Sequence, residues 1–413
     1  MNTEVSVVPR ALCLRGRVGS RAVALRLAAA VAAITLMAAS ACGPAVRSGS
    51  VTTQLGNRGS SVVPPQESTP PALAGKMQPD PHGAYLGIYQ PPAPFDVSAL
   101  NGYSAFSDKP PAIIMWYQPW AKSGPRDFDP AAAVAIYERG AIPMVTWEPW
   151  DPGKDANVLK NPEKQPAYRL SKIINGSFDG YIRSFARAVK SARGPVMIRL
   201  MHEMNGNWYP WCGTVNGNNP KQFVAAWRHV HDIFEQEGAT NVTWVWSINH
   251  ESVPNNSSNA YSVYYPGDAY VDWVSISGFN WGTSGSATRW HPLDYWYKTP
   301  MAYLKKTGKP VVVSEFASVE NGGNKGAWIT DAYKRFRTEY PQVKAVVYYN
   351  KREWQAGTIQ DWRINTSKGS RDAYRAAVAN PYYLAAPPLT LSAWTGTLTP
   401  ANWVYLRSLK PVY

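Results

Sequence analysis

A chain of 413 residues that is 45% hydrophobic and 17% charged suits one large globular domain with appendages. Its net charge is +14, of which residues 1–41, with five Arg against one Glu, supply +4 and leave +10; no Lys/Arg block interleaves with aromatics, which argues against a nucleic-acid partner. Three cysteines, Cys13, Cys42 and Cys212, cannot build a disulfide framework and lack metal-ligand spacing, so no metal or other cofactor is expected.

Residues 1–41 have the organisation of an export signal: arginines first, then the apolar stretch LAAAVAAITLMAA, then Ser40-Ala41-Cys42. The apolar stretch is short for a bilayer span. Ala39-Ser40-Ala41 fits an ordinary small-x-small cleavage site, and with Cys42 it also resembles a bacterial lipobox that has Ala39 where Leu is usual. A cysteine at the first mature position favours lipidation at Cys42, which predicts an exported protein held at the outer face of the cytoplasmic membrane. Residues 42–80 are rich in Ser, Pro, Gly, Thr and Gln without apolar periodicity, the composition of a disordered spacer between anchor and domain.

From Tyr85 onward, short apolar runs alternate with helical patterns, the signature of a parallel α/β fold. Eight strands are predicted, over 85–89, 112–117, 142–147, 196–200, 242–247, 271–277, 310–314 and 345–349. Asp129-Pro130 is an N-cap and first-turn pair that opens one helix. Phe178, Tyr181, Ile182, Phe185 and Val189 recur at helical spacing, as do Phe223, Trp227, Val230 and Phe234 before a stop at Gly238. Another helix is predicted over 327–340, and 254–270 is expected to be irregular. Eight strands over 81–380 predict a single (β/α)8 barrel, with no phosphate-binding glycine loop after any strand. The remaining 381–413 form a Pro-rich, then aromatic and basic tail with no assigned role.

The densest chemistry lies at 195–212, PVMIRLMHEMNGNWYPWC. An apolar strand interrupted by Arg199 runs straight into His202, Glu203, Asn205, Trp208, Tyr209 and Trp211. Single aromatics are usually core. This set instead follows the C-terminal end of a parallel strand, where ligand crevices form. Flat rings suit a sugar face, and Glu203 can give or take a proton. Hydrolysis of a glycosidic bond needs a second carboxylate on another strand end. Glu315, after KPVVVS, provides it: the two are separated by 112 positions, about 37 per βα unit across three units, which places them on strands four and seven. Glu148, Glu251 and Glu353 are less aromatic competitors. Glu203 has to arrive protonated, its pKa raised by burial and by a neighbouring carboxylate, and Glu315 has to stay ionised, held by donors.

The motif R-x-x-H-E-M-N-G-x-W-Y-P-W at 199–211 resembles the acid/base signature of glycoside hydrolase family 26, the β-mannanase family of retaining (β/α)8-barrel enzymes. The resemblance spans roughly 82–375 and is densest at 173–249. It implies Glu203 as acid/base and Glu315, in Ser314-Glu315-Phe316-Ala317, as nucleophile. It adds His202, Asn205, Trp208, Trp147, Phe279, Trp281, Tyr349 and Trp354 as substrate-binding residues, with Trp150 a further stacking platform. Many family members carry Tyr where Phe279 stands, with its hydroxyl bonded to the nucleophile; here either another donor substitutes or turnover is reduced. The implied activity is endo-hydrolysis of β-mannan or a related neutral β-glycan by a monomer acting on polysaccharide, with β-1,3-xylan, mixed-linkage β-glucan and the cell's own exopolysaccharide as alternatives. A polysaccharide-binding protein on a weakened hydrolase barrel is the rival from another class.

Overall fold

The computed structural model describes residues 75–385 except 97, 122–125, 154–159 and 356. The expected export signal, Cys42, most of the spacer and the tail beyond 385 lie outside the described residues.

Eight parallel strands follow one another around a closed barrel: β1 (Ala84–Tyr89), β2 (Ile113–Pro119), β3 (Ile142–Glu148), β4 (Val196–Leu200), β5 (Val242–Asn249), β6 (Trp273–Asn280), β7 (Val311–Ser318) and β8 (Val343–Tyr349). β1 pairs with β8 from Tyr85↔Ala345 to Tyr89↔Tyr349, which closes the ring. Strands buried on both faces need apolar residues on both, and β1, β3 and β4 are buried at every position. Helices cover the outside: α1 (Ala99–Ser107), α2 (Pro130–Tyr137), α3 (Leu170–Ile174), α4 (Asp179–Ser191), α5 (Pro220–Glu237), α6 (Leu293–Lys305), α7 (Lys325–Thr338) and α8 (Lys368–Val378). The fold is a (β/α)8 barrel.

Local chemistry sets the helix limits. Asp129 caps α2 by accepting from the Ala131 N–H. α5 opens with Pro220 behind an Asn219/Gln222 capping box and stops at Gly238, whose φ of 67° suits glycine. α4 buries Tyr181, Ile182, Phe185, Ala186 and Val189, the stripe read from the sequence. Residues 254–270 contain only short 3-10 turns, at Ser257–Asn259, Tyr261–Tyr264 and Asp268–Tyr270.

Three boundaries differ from the sequence reading. The end of the predicted spacer is already part of the fold: the Met77 N–H donates to Thr243 Oγ1 at 2.7 Å, and Lys76 pairs with Asp272 at 2.9 Å, both at the N-terminal end of the barrel. The chain stays attached past 380, because β11 (Tyr383–Leu384) lies parallel to β1, after a two-stranded hairpin of β9 (Arg352–Gln355) and β10 (Thr358–Asp361). β6 and β7 each run further than predicted. In β7 one extra residue opposes both neighbours: Val313 and Glu315 face Ile276 and Ser277 of β6, and Val313 and Phe316 face Val346 and Tyr348 of β8. This bulge lets two successive side chains, Ser314 and Glu315, both turn into the barrel.

Candidate active site

A ring of small hydroxyls fills the barrel beneath its C-terminal mouth, with one large cation in its midst. Arg199 of β4 is fully buried. Its Nε donates to Ser247 Oγ (2.9 Å), its Nη2 to Ser277 Oγ (2.7 Å), and its Nη1 to Thr146 Oγ1 (3.3 Å) and to Glu315 Oε1. Ser247 continues to Ser275 (3.2 Å) and Ser275 to Ser314 (2.6 Å). A guanidinium out of water persists only when paired and hydrogen-bonded; removing one partner of such a pair costs about 3–5 kcal/mol.

Glu315 receives a second donor from an element the sequence reading passed over. The Tyr117 hydroxyl, near the end of β2, donates to Glu315 Oε1 at 2.6 Å. Both donors address Oε1, and Oε2 has no partner among the described residues. Phe279 packs edge-on against Tyr349, with ring centroids 5.2 Å apart, and against Trp362. The hydroxyl that Phe279 cannot provide is thus present from the opposite side of the mouth. Its signal in the sequence was a polar-tipped aromatic at a strand's C-terminal end, in Trp116-Tyr117-Gln118.

Glu203 stands just past β4 in a tight turn, with φ of 55° at Glu203 and 45° at Met201. Left-handed backbone at a side-chain-bearing residue costs about 1–3 kcal/mol and persists where the surroundings impose it. Here they do: the Glu203 N–H donates to the Ser247 carbonyl at 2.9 Å, and the Trp208 indole donates to Glu203 Oε2 at 2.9 Å. The indole lies over Gly206, where a Cβ would come within 2.5 Å of it. Burial first, and then the neighbouring Glu315, push the Glu203 pKa up to about 7, against the pull of Arg199 and of hydrogen bonds from Asn249 and Trp208.

A cavity of about 680 Å³ joins Glu203 and Glu315, lined also by Tyr117, Glu148, Trp150, Trp208, Phe279, Trp281 and Tyr349. Glu148, the last residue of β3, is a third buried carboxyl; burial pushes its pKa up to about 8, partly offset by the Trp150 indole that donates to it at 3.2 Å.

Four residues expected to touch substrate sit elsewhere. Trp147 points away from the mouth into the β3–α4 layer, fully buried and stacked on Phe185 with centroids 4.1 Å apart. Its neighbour Glu148 faces the cavity because successive strand residues alternate. His202 is buried beneath Tyr209 (Nε2 to hydroxyl 3.3 Å) and outside the cavity lining. Burial and Arg199 hold its pKa well below the usual histidine range, so its 3.8 Å approach to Glu148 is no ion pair. Asn205 is a buried clamp: its Nδ2 donates to the carbonyls of Asn249 (3.1 Å) and Glu251 (3.2 Å), and its Oδ1 accepts from the Asn249 N–H. Trp354, 71% exposed, pairs with Ile359 on the outer face of the β9–β10 hairpin, while Glu353 and Gln355 face the cavity.

Comparison with known proteins bears on this geometry. Residues 133–321 match the model of Glycosyl hydrolase family 26. Endoglucanase H of Acetivibrio thermocellus is 39% identical over 270 residues, 64% of this chain and 27% of that protein. Beta-1,3-xylanase TXYA of a Vibrio species is 27% identical over 227 residues, 53% of this chain and 44% of that protein. The chain thus spans less than half the length of either relative. The catalytic domain of the Bacillus sp. JAMB-750 GH26 endo-beta-1,4-mannanase shares the fold with a TM-score of 0.54 at 15% identity, over 74% of this chain and 89% of that domain. Over residues 133–321, with the signature where its fourth strand ends, the barrel is thus similar to glycosyl hydrolase family 26.

Proposed function

We propose that the barrel is a retaining endo-β-glycanase, with Glu203 as acid/base and Glu315 as nucleophile. One observation carries this reading: two carboxyls from β4 and β7 face one cavity, Glu203 raised to about 7 by burial and Glu315 held on one oxygen by Arg199 and Tyr117. In the first step Glu315 Oε2 attacks the anomeric carbon, the glycosidic C–O bond breaks, and Glu203 gives its proton to the departing oxygen. In the second, the Glu203 carboxylate takes a proton from water, which attacks the same carbon and releases Glu315. Trp208, Phe279, Trp281 and Tyr349 border the sugar that reacts.

The substrate is a neutral glycan. Among the residues that line the cavity, Lys351 is the one Lys or Arg and is paired with Glu353 at 2.8 Å, so a polyanionic chain meets no cluster of cations there. The 39% identity to a protein named an endoglucanase favours a β-glucan, ahead of the β-mannan that the sequence motif implies. The binding-only alternative rested on Phe279, and Tyr117 removes its motive. A panel of purified mixed-linkage β-glucan, β-1,4-mannan, β-1,3-xylan and an anionic polyuronide tests this: oligosaccharides are expected from a neutral glycan. Cleavage of none, or only of the polyuronide, contradicts it.

The first 42 residues support export and a lipid on Cys42, with the barrel acting as a monomer on a Ser/Pro-rich tether. Cys42→Ser then moves the protein from the membrane fraction to the medium. A wild-type chain already in the medium with a free amine on Cys42 overturns the anchor.

A further inference from the structure

The end of the barrel opposite the mouth carries a one-sided run of cations. Each outer helix runs back along the barrel, so helix C-termini and strand N-termini share that end. From β6 round to β1 it presents Lys305 and Lys306 at the end of α6, Lys309 before β7, Arg337 in the last turn of α7, and Lys344 at the start of β8. We propose that this face is a docking surface for an anionic phospholipid membrane, which turns the mouth away from the lipid.

The run is continuous and short of counter-charge. Val311, two residues after Lys309, pairs with Val343, the neighbour of Lys344. The Tyr382 hydroxyl donates to the Val343 carbonyl at 3.3 Å, and Arg337 lines, with Lys334 and Tyr383, a recess of about 250 Å³ between α7 and α8. Lys305, Lys306 and Arg337 are exposed. The acids nearby are mostly paired already: Asp272 with Lys76, Glu339 with Arg335 and Asp108 with Arg375, each at 2.9 Å. Asp80 accepts from the His82 N–H and Asp268 from the Tyr265 hydroxyl. The run itself forms no ion pair among the described residues; Lys309 and Lys344 reach only the carbonyls of Asp268 (2.9 Å) and Pro81 (3.1 Å). A cation at a helix C-terminus also answers the helix dipole, but Lys309 and Lys344 lie outside any helix.

Two features make a membrane the partner. The chain joins the barrel at this same end, where Met77 and Lys76 bond to Thr243 and Asp272, so the connection toward Cys42 leaves from the side that carries the run. The mouth is unlike it: the cavity lining holds one Lys or Arg, Lys351, paired with Glu353 at 2.8 Å. An anionic leaflet favours each nearby Lys or Arg by about fivefold in affinity, so several on one face set an orientation as well as a strength. A tether and a docking face at one end leave the cavity open to a polysaccharide on the far side.

The test is co-sedimentation of the Cys42→Ser chain, which carries no lipid, with vesicles of phosphatidylcholine alone or with about a third phosphatidylglycerol. At about 0.1 M salt, binding to the anionic vesicles is expected to be at least about tenfold tighter than to the neutral ones, and to fall steeply at about 1 M. Adding Lys305→Glu, Lys306→Glu and Lys309→Glu together is expected to remove at least about tenfold of that affinity, and the three glutamine substitutions at the same positions less. Lys160→Glu, Lys164→Glu and Lys172→Glu make the same charge change in the β3–α4 connection, at the mouth end, and are expected to cost about twofold or less. Equal losses in the two charge-reversed variants, or no preference for anionic vesicles, overturn the docking face. Binding to a soluble polyanion such as polyphosphate but not to vesicles overturns it too. The lipid on Cys42 is judged separately, by where the wild-type chain fractionates.

Discussion

Glu203 and Glu315 are almost equally hidden, 7% and 6% exposed, and they line one cavity, yet the chain surrounds them differently. Glu203 sits on a strained turn with the neutral Trp208 indole on one oxygen, and its pKa rises to about 7. Glu315 sits inside a strand, turned inward by a bulge, with a buried guanidinium and a tyrosine hydroxyl on one oxygen. Burial alone therefore assigns no role to a carboxyl. The kind and number of donors that meet it set the proposed acid apart from the proposed nucleophile.

The widest break in this comparison is to remove Glu203, the proposed acid. Glu203→Ala is expected to slow polysaccharide hydrolysis by about 10²–10⁴, while a dinitrophenyl glycoside, which needs no proton, loses far less. In the wild type, kcat/KM for the polysaccharide should fall as pH rises through about 7, because the raised carboxyl gives up the proton that the leaving oxygen requires. Equal losses on both substrates would place the acid elsewhere.

A smaller effect comes from the side of Glu315, the proposed nucleophile. Tyr117→Phe removes one hydroxyl donor from Glu315 and keeps the ring packed against Tyr89 and Tyr349. Loss of a charge-directed hydrogen bond at the reacting group is expected to lower kcat by about tenfold to a hundredfold, with KM within about twofold. An unchanged kcat would mean that Arg199 alone holds the carboxylate.

The third carboxyl sharpens the comparison through stability. The folded Glu148 pKa, about 8, lies above the ordinary carboxyl range, so the fold favours its protonated form. That stability is present below the unfolded pKa and is lost as pH rises toward about 8. Glu148→Gln has no such proton, so its Tm relative to wild type should climb between pH 5 and pH 8. A Tm difference that stays flat across that range contradicts the assignment.

The apolar runs made the barrel legible: β4 begins and ends where its sequence pattern does, between Pro195 and the turn at Met201. β6 and β7 read short because their last residues, Gly278-Phe279-Asn280 and Glu315-Phe316-Ala317-Ser318, look like loop when only apolar runs are counted. The two central glutamates stood out by type and spacing. The faces of their neighbours did not, because a strand's direction into or out of a barrel depends on register. Trp147 and Glu148 exchange apparent roles through that single alternation, and Trp354 turns outward while Glu353 and Gln355 turn in. Tyr117 was missed for a related reason: its partner lies 198 positions away, and only barrel closure brings them together.

In the proposed mechanism Glu315 forms a covalent bond with the sugar before water arrives. The most direct test follows the anomeric configuration of the first-formed product by proton NMR, within minutes of mixing wild-type protein and oligosaccharide, before mutarotation equilibrates it. A nucleophilic Glu315 requires two inversions and hence a β-configured first product. An α-configured first product would mean a single displacement by water, with Glu315 as a base and no glycosyl–enzyme bond.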